Sequence, residues 1–145
     1  MRRRRRLTLG QRIRTLHGDD RGVEVIEFAL VSILFCLLVF GIMEFGRAIW
    51  IYNTVAHLAK EGARFAMVRG SESNHTATPT DVETYVSERA AGMTGLTVTT
   101  TWDDSSKDPG TVVQVQVDKD FDPALPLVGL GPFTLSSTSR MVITF

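Results

Sequence analysis

The hydrophobic positions divide the chain into one long apolar run and a C-terminal part with shorter patterns. The sixteen residues Phe28–Met43 carry no charge, and no proline occurs between Val23 and Arg69. An uninterrupted apolar run is typical of a membrane-spanning helix. A helix over residues 23–69 would be about 70 Å long, more than twice the hydrocarbon thickness of a bilayer. We therefore expect the helix to leave the membrane and continue outside it.

Beyond the apolar run, the same helix is predicted to become amphipathic. Trp50 and Tyr52 fit the outer membrane interface, where aromatic rings are favoured. Apolar or small residues then recur at three- and four-residue steps and form one stripe, which consists of Ile51, Val55, Leu58, Gly62 and Phe65. The pattern favours packing of this stripe on the chain's own C-terminal domain over a contact with another subunit. Small residues four apart, such as Gly62 and Ala66, also indicate close helix approach, and Gly70 predicts the helix end.

The C-terminal part predicts one short helix and three strands. Thr80 and Glu83 have the spacing of a capping box, so a helix is expected to begin there. Three segments are rich in Val and Thr or alternate between apolar and polar residues, and they predict strands over Leu96–Trp102, Thr111–Val117 and Thr134–Phe145. Prolines and glycines in Phe121–Pro132 predict an ordered crossing loop. The expected fold is α+β, with a long N-terminal helix (a transmembrane half and an amphipathic half) packed on a small antiparallel β-sheet.

Charge is distributed unevenly, although the formal net charge is zero. Residues 1–22 contain eight arginines and two aspartates, whereas residues 23–145 contain eight basic and fourteen acidic residues. Because arginines on one side of an apolar span set its orientation, we expect residues 1–22 to be a basic cytoplasmic leader. Residues 23–52 would form the single transmembrane helix, and residues 53–145 an extracytoplasmic α+β domain. A nucleic-acid-binding arm at Arg2–Arg6 is disfavoured, since the arginines precede a membrane segment and no aromatic residue is interleaved with them.

Two carboxylates, Glu24 and Glu27, lie directly before the apolar run. Because charged groups are costly in lipid, their presence there indicates a function. A secretory signal peptide is disfavoured, since no good small-x-small cleavage site directly follows the run. A plain uncleaved anchor stays possible, although it would not need Glu24 and Glu27. A leader cut after Gly22 would make Val23 the first residue and Glu27 the fifth. The Glu27 carboxylate could then accept the α-ammonium of a neighbouring subunit, an attraction that is strong in low dielectric.

Three segments occur in a fixed order around the apolar run: Arg21–Leu30, Gly41–Arg47 and Ala59–Gly70. Together, over roughly residues 20–70, the chain closely resembles the TadE-like family of minor pseudopilins, part of the tight-adherence (Flp) pilus machinery of bacteria and archaea. In that family the pair that corresponds to Glu27-Phe28 is often Glu-Tyr. The pair here keeps the aromatic ring and lacks the hydroxyl group.

The resemblance implies a pilin-like membrane protein that acts in the assembly of a type IV-like pilus or its secretion machinery, in the service of adhesion. It implies cleavage between Gly22 and Val23 by a dedicated prepilin peptidase. The implied partners are membrane lipid, other pilin or pseudopilin subunits, the peptidase and the pilus assembly platform, with no nucleic acid. The alternative from another functional class is an uncleaved single-pass membrane anchor that presents a small β-rich envelope-binding domain.

The candidate assembly residues lie on the long helix. Glu27 and Phe28 follow the expected cut, while Glu44 and Arg47 are three residues apart and are expected to pair on one helix face. The pair Glu44–Arg47 is therefore either an exposed pair of little energetic consequence or a contact with another subunit.

No pattern in the sequence predicts a catalytic, metal or cofactor site. Asp118, Asp120 and Asp122 alternate as in a calcium-binding loop, but the required glycine and glutamate positions hold Pro123 and Gly129. The three histidines lack metal-ligand spacing, and neither a phosphate-binding loop nor a nucleophile elbow occurs. We therefore expect a protein that is not an enzyme and that needs no cofactor.

Overall fold

The computed structural model describes residues 21–90, 92–124 and 131–144. Two helices are followed by three strands, with a short 3-10 turn at Asp103–Ser105 between the first two strands. The elements in chain order are α1 (Arg21–Met67), α2 (Pro79–Arg89), β1 (Leu96–Trp102), β2 (Val112–Phe121) and β3 (Phe133–Val142). The strands form one antiparallel sheet in the order β1-β2-β3. The predicted α+β class is confirmed.

The chain divides into two units, residues 1–43 and residues 44–145. The described part of the first unit is the N-terminal half of α1, whose apolar side chains are exposed; Phe28 and Leu38, for example, are 74% and 60% exposed. Its most apolar window of 18 residues has a mean hydropathy of 2.7, and none of that window is buried. By length and composition this helix can cross a membrane, in agreement with the predicted single span.

The second unit contains the hydrophobic core. The buried face of α1 includes Ile51, Val55 and Leu58. Opposite it, the buried residues of α2 and β2 are Val82, Val86, Val113, Val115, Val117 and Phe121. Because apolar burial is the main stabilising term in folding, this packing explains the amphipathic pattern. The predicted stripe thus packs on the chain's own domain.

Gly62 marks a very close approach of α1 to the rest of the core. A Cβ atom at this position would lie 2.9 Å from Val86 Cγ2 and 3.1 Å from Val115 Cγ1. Ala63 and Ala66 are also fully buried in the same core. The small residues of this half of α1 therefore serve packing within the domain.

Strand β2 is the central strand, and it is longer than predicted. It continues through Asp118 and Asp120 to Phe121, which is buried and pairs with Phe133 of β3. The alternating pattern predicted the strand only as far as Val117, and Phe121 was assigned to a crossing loop. Both boundaries were wrong, because pairing with β3 and burial of Phe121 extend the strand. The predicted loop also covers residues 125–130, which lie outside the described residues.

The capping box of α2 begins two residues before the predicted one. Thr78 is the N-cap, and its hydroxyl oxygen accepts the backbone N–H of Asp81 at 3.2 Å. In return, the Asp81 carboxylate accepts the backbone N–H of Thr78 at 2.9 Å. Pro79 occupies the first helical turn, where its missing N–H costs nothing and its fixed φ suits the helix. The prediction from Thr80 and Glu83 was wrong because it counted Pro79 as part of the preceding loop.

The C-terminal end of α1 also differs from the prediction. The helix ends at Met67, three residues before Gly70. The carbonyl oxygen of Met67 accepts the backbone N–H of Thr144 at 3.1 Å. The N–H of Thr144, which follows β3, thus satisfies a carbonyl group at the end of α1. The sequence had instead predicted that Gly70 caps this end of the helix.

Candidate functional site

The predicted cleavage position lies in the first turn of α1. Gly22 is exposed, and a Cβ atom there would meet no heavy atom within 4 Å in the described structure. Val23 is 65% exposed. The first N–H groups of a helix have no intrahelical partner, so little hydrogen bonding holds this backbone in place. The Gly22–Val23 bond is therefore accessible, and packing within the chain does not require glycine at position 22.

The two residues predicted to act after cleavage, Glu27 and Phe28, lie one turn further along α1. Both are exposed, and Phe28 has one of the most exposed large apolar side chains, at 74%. No hydrogen bond or ion pair of Glu27 is found within residues 21–90, 92–124 and 131–144. Neither side chain therefore contributes to the core of the domain.

Glu44 and Arg47 do pair on one face of α1, with Arg47 Nε 3.3 Å from Glu44 Oε2. Arg47 also donates to the carbonyl oxygen of Asp122 at 2.6 Å, and its guanidinium carbon lies 4.3 Å from the centroid of the Phe121 ring. The backbone N–H of Ala124 donates to Glu44 at 2.8 Å. The pair thus holds residues 121–124 against the helix of the same chain. No local sequence pattern indicates this contact, because residues 121–124 are about 80 residues away along the chain.

We expect substitution of Glu44 by alanine to loosen residues 122–124. The N–H of Ala124 would lose a charged acceptor, and hydrogen bonds to charged groups are stronger than those between neutral groups. Hydrogen exchange at the Ala124 amide should become faster by about tenfold or more, as measured by NMR or mass spectrometry on the detergent-solubilised chain. Exchange in α2 should stay unchanged and serves as the internal control. Equal exchange at Ala124 in both proteins would contradict the described role of Glu44.

Of the three alternating aspartates, Asp118 and Asp120 lie on β2, and Asp122 follows the last residue of this strand. Both carboxylate oxygens of Asp118 accept hydrogen bonds from Gln116 Nε2 at 3.0 Å. Asp120 accepts the hydroxyl of Thr134 at 2.7 Å. Within the described ranges, no group of three or more His, Cys, Asp or Glu side chains is placed to hold a metal ion.

Sequence reasoning missed an open cleft of about 540 Å³ between the end of α1 and α2. Phe65 and Tyr85 line it, with ring centroids 4.2 Å apart. Arg69 covers the Phe65 ring at 3.8 Å, and Arg89 covers the Tyr85 ring at 3.6 Å. Each arginine follows its aromatic partner by four residues, and this spacing was the available signal. Arg69 and Arg89 already stack on the two rings. We therefore assign these arginines and rings mainly to the packing of α1 against α2.

Two carboxylates hold the polar loops of the domain. The Thr78 hydroxyl and backbone N–H lower the pKa of Asp81 below its ordinary value of 3.8. The Ser71 and Ser106 hydroxyls donate to Asp108 at 2.6 and 2.7 Å and lower its pKa as well. Asp81 caps α2, and Asp108 joins the loop after α1 to the turn between β1 and β2.

These lowered pKa values predict that the domain loses stability in acid. In the unfolded chain both carboxyl groups take up protons near pH 3.8, whereas the folded protein resists protonation until a lower pH. The stabilisation is therefore complete above this pH and disappears as the pH falls through the folded-state pKa values. Thermal unfolding of the full chain in detergent, measured at a series of pH values, should show this loss of stability. The unfolding temperature of the variant Asp81→Asn/Asp108→Asn should depend less on pH over this range. If the unfolding temperatures of the variant and the wild type fall in parallel with pH, the role assigned to these two carboxylates is wrong.

The comparisons with known proteins agree with the sequence pattern. Residues 22–64 match the family model described as TadE-like protein. The match confirms the predicted resemblance for the apolar run and most of the amphipathic half of α1, and it ends before α2 and the sheet. No curated protein and no solved structure matches significantly.

Proposed function

We propose, from the TadE-like match over residues 22–64 and the apolar helix that carries it, that this chain is a minor pseudopilin. It acts in the assembly of a tight-adherence, type IV-like pilus or of its secretion machinery. One observation supports this above all: within the matched helix the uncharged run Phe28–Met43 is exposed, and an accessible glycine and two carboxylates precede this run. Exposed apolar surface on a helix suits lipid or another apolar helix, which are the two environments of a pilin-like subunit.

Processing between Gly22 and Val23 by a prepilin peptidase is part of the proposal. A peptidase must bring extended backbone close to its catalytic groups, and glycine offers the least steric hindrance. Cleavage in the first turn of α1 disrupts few helical hydrogen bonds. The new α-ammonium at Val23 then becomes available to a carboxylate such as Glu27 of a neighbouring subunit.

The proposed orientation follows from the eight arginines of residues 1–22. The leader stays in the cytoplasm, the helix passes the membrane once, and residues 53–145 lie outside. The partners are membrane lipid, the prepilin peptidase, other pilin or pseudopilin subunits and the pilus assembly platform. Glu44 and Arg47 are engaged within the chain, which makes Glu27 and Phe28 the better candidates for contacts with other subunits.

Substituting Gly22 by leucine tests the processing step. We expect the variant to stay in membranes as an unprocessed chain, heavier than the wild type by residues 1–22. We expect the Gly22→Leu variant to fold normally, because an added Cβ atom at position 22 meets no heavy atom within 4 Å. The measurement is the intact mass of the membrane-extracted protein.

The matched control is Gly46→Leu on the same helix, where an added Cβ atom also meets nothing within 4 Å. This variant should be processed like the wild type. If the wild type and the Gly22→Leu variant have N-termini at the same residue, the processing claim is wrong.

N-terminal sequencing of the mature wild-type protein separates the two functional classes. Val23 as the first residue supports the pseudopilin. Met1 or Arg2 as the first residue supports an uncleaved anchor that presents the domain of residues 44–145 to an envelope partner. The self-contained core of that unit would suit either function.

A further inference from the structure

The exposed side of α1 within the domain carries three basic side chains. His57, Lys60 and Arg64 follow each other at steps of three and four residues, so they share one face of the helix, which we name the basic face of α1. All three are exposed, and their side chains make no hydrogen bond or ion pair in the part of the chain that the structure describes. The basic face therefore has no partner among these residues.

Helix α2 presents a face of opposite charge. Asp81, Thr84 and Glu88 are exposed and have the same spacing of three and four residues, and we name them the acidic face of α2. Asp81 caps its own helix through Oδ2 alone. Oδ1 of Asp81 and the Glu88 carboxylate have no partner within the described ranges. The two arginines that flank this face already stack on aromatic rings of the domain, which leaves these carboxylates open to other cations.

The contacts between the two helices fix the direction of this acidic face. Phe65 of α1 stacks on Tyr85 of α2, with 4.2 Å between the ring centroids. Arg69, one turn after Phe65, lines the same cleft as Asp81, one turn before Tyr85. The two helices are therefore antiparallel. Asp81 is about level with position 69 of α1, and Glu88 is about level with position 62.

We infer that the basic face of α1 in one copy of this chain docks on the acidic face of α2 in a second copy. The inference rests on the proposed function, because the subunits of a pilus repeat by rotation about and translation along one axis, so α1 points the same way in every copy. The docked α1 then runs antiparallel to α2. A single offset of about five residues places Arg64 against Asp81 and His57 against Glu88 together.

A second copy is the occupant because the chain itself supplies both halves of the contact, with opposite charge and equal spacing. Arg64 offers a charged fork to the carboxylate of Asp81, and an N–H of the His57 imidazole can donate to Glu88 in either protonation state. Exposed ion pairs are weak individually, so the contact depends on several pairs and on the concentration of copies in one membrane.

The geometry of the contact has a consequence for assembly. The two faces belong to different helices, so the contact is heterologous and leaves one free face on each of the two copies. Repetition of the contact forms an open chain of subunits rather than a closed dimer. Each subunit is displaced from the previous one by about 7–8 Å along α1, which corresponds to the offset of about five residues.

Cross-linking between two cysteine variants of the full chain tests this contact. In a Cys36→Ala background, Lys60→Cys marks the basic face and Thr84→Cys marks the acidic face, and both positions are exposed. The two variants are expressed together, and their membranes are treated with a short bismaleimide. We expect a product with the intact mass of two copies, and little product when either variant is expressed alone. Thr99→Cys, at an exposed position of β1, replaces Thr84→Cys in the matched control and should give little product.

Charge reversal tests the pairing and its direction. Glu88→Lys in the Thr84→Cys copy should reduce the cross-linked product about threefold or more, because it replaces an attraction by a repulsion. His57→Glu in the Lys60→Cys copy should then restore the product. Both positions are exposed, so these changes leave the core intact. Failure of His57→Glu to restore the product would contradict the proposed pairing.

The remaining outcomes separate this inference from the proposed function. Absence of a two-copy product in membranes whose chains begin at Val23 would overturn the contact and leave the pseudopilin standing. Cross-linking of Lys60→Cys expressed alone would place α1 against α1, and a product with a different protein would identify another occupant; each result also overturns the inference. A two-copy product from chains that still begin at Met1 would support the contact and overturn the proposed processing.

Discussion

Replacing Glu27 by alanine is expected to abolish pilus assembly while membrane insertion and processing continue. The proposed partner of Glu27 is the α-ammonium of Val23 on a neighbouring subunit. Removal of one member of an ion pair in low dielectric leaves the other unpaired, at a cost of about 3–5 kcal/mol. A loss of this size reduces the association constant by more than about a hundredfold, so pili should be nearly absent from the cell surface. Electron microscopy of the cells and immunoblotting of membrane fractions measure the two outcomes.

Glu24→Ala is the matched control for this experiment. Glu24 lies in the first turn of the same helix and is also exposed, but it is the second residue after the proposed cut rather than the fifth. Its substitution should leave piliation close to the wild-type level. Normal piliation in the Glu27→Ala variant would remove the proposed role of this carboxylate, even if cleavage after Gly22 is demonstrated.

Replacing Gly62 by leucine is expected to destabilise the C-terminal domain strongly. The first added carbon alone would lie 2.9 Å from Val86 Cγ2 and 3.1 Å from Val115 Cγ1, and these partners lie on two different elements. Neither neighbour can move freely, since Val86 and Val115 are both fully buried. Overpacking of a core costs about 1–3 kcal/mol per insertion and more for a large side chain. We expect a loss of about 3 kcal/mol or more in the free energy of unfolding, with a matching fall in the amount of protein in membranes.

Two further variants make the Gly62 result specific. Gly62→Ala should be destabilised less, because one methyl group strains the contact and alanine favours the helix by about 1 kcal/mol over glycine. Gly46→Leu on the same helix should keep or slightly raise stability, since no heavy atom lies within 4 Å of its added Cβ atom. Thermal unfolding in detergent compares the three variants. Equal stability of the Gly62→Leu and Gly46→Leu proteins would contradict the packing described for α1.

The Glu27 and Gly62 predictions separate assembly from folding on a single helix. Glu27 is exposed and makes no contact that the domain core needs, whereas Gly62 is buried and exposes nothing to a partner. A variant that folds but does not assemble should therefore come from an exposed position of α1. A variant that fails to accumulate should come from the half that packs on α2 and β2.

The candidate site itself was visible in the sequence to different degrees. Gly22, Val23 and Glu27 were found from their position before the uncharged run, and Phe28 as its first residue; all four are exposed in the structure. The pairing of Glu44 with Arg47 followed from their spacing. The hydrogen bonds of this pair to residues 122 and 124 could not be predicted, because nothing in the local sequence links segments about 80 residues apart.

The elements whose hydrophobic period is long and regular were predictable from local sequence. The stripe from Ile51 to Phe65 and the alternating valines of β2 each bury one face, and that face can be read from spacing alone. The uncharged run is exposed around the helix, as its continuous apolar sequence predicts. The positions at which the elements end, and the residues that their ends contact, depend on the folded chain. Phe121 extends β2 past two aspartates because Phe133 pairs with it, and Thr144 satisfies the end of α1 at Met67. Ends depend on hydrogen bonds and burial supplied by distant residues, and the local pattern contains no information about those partners.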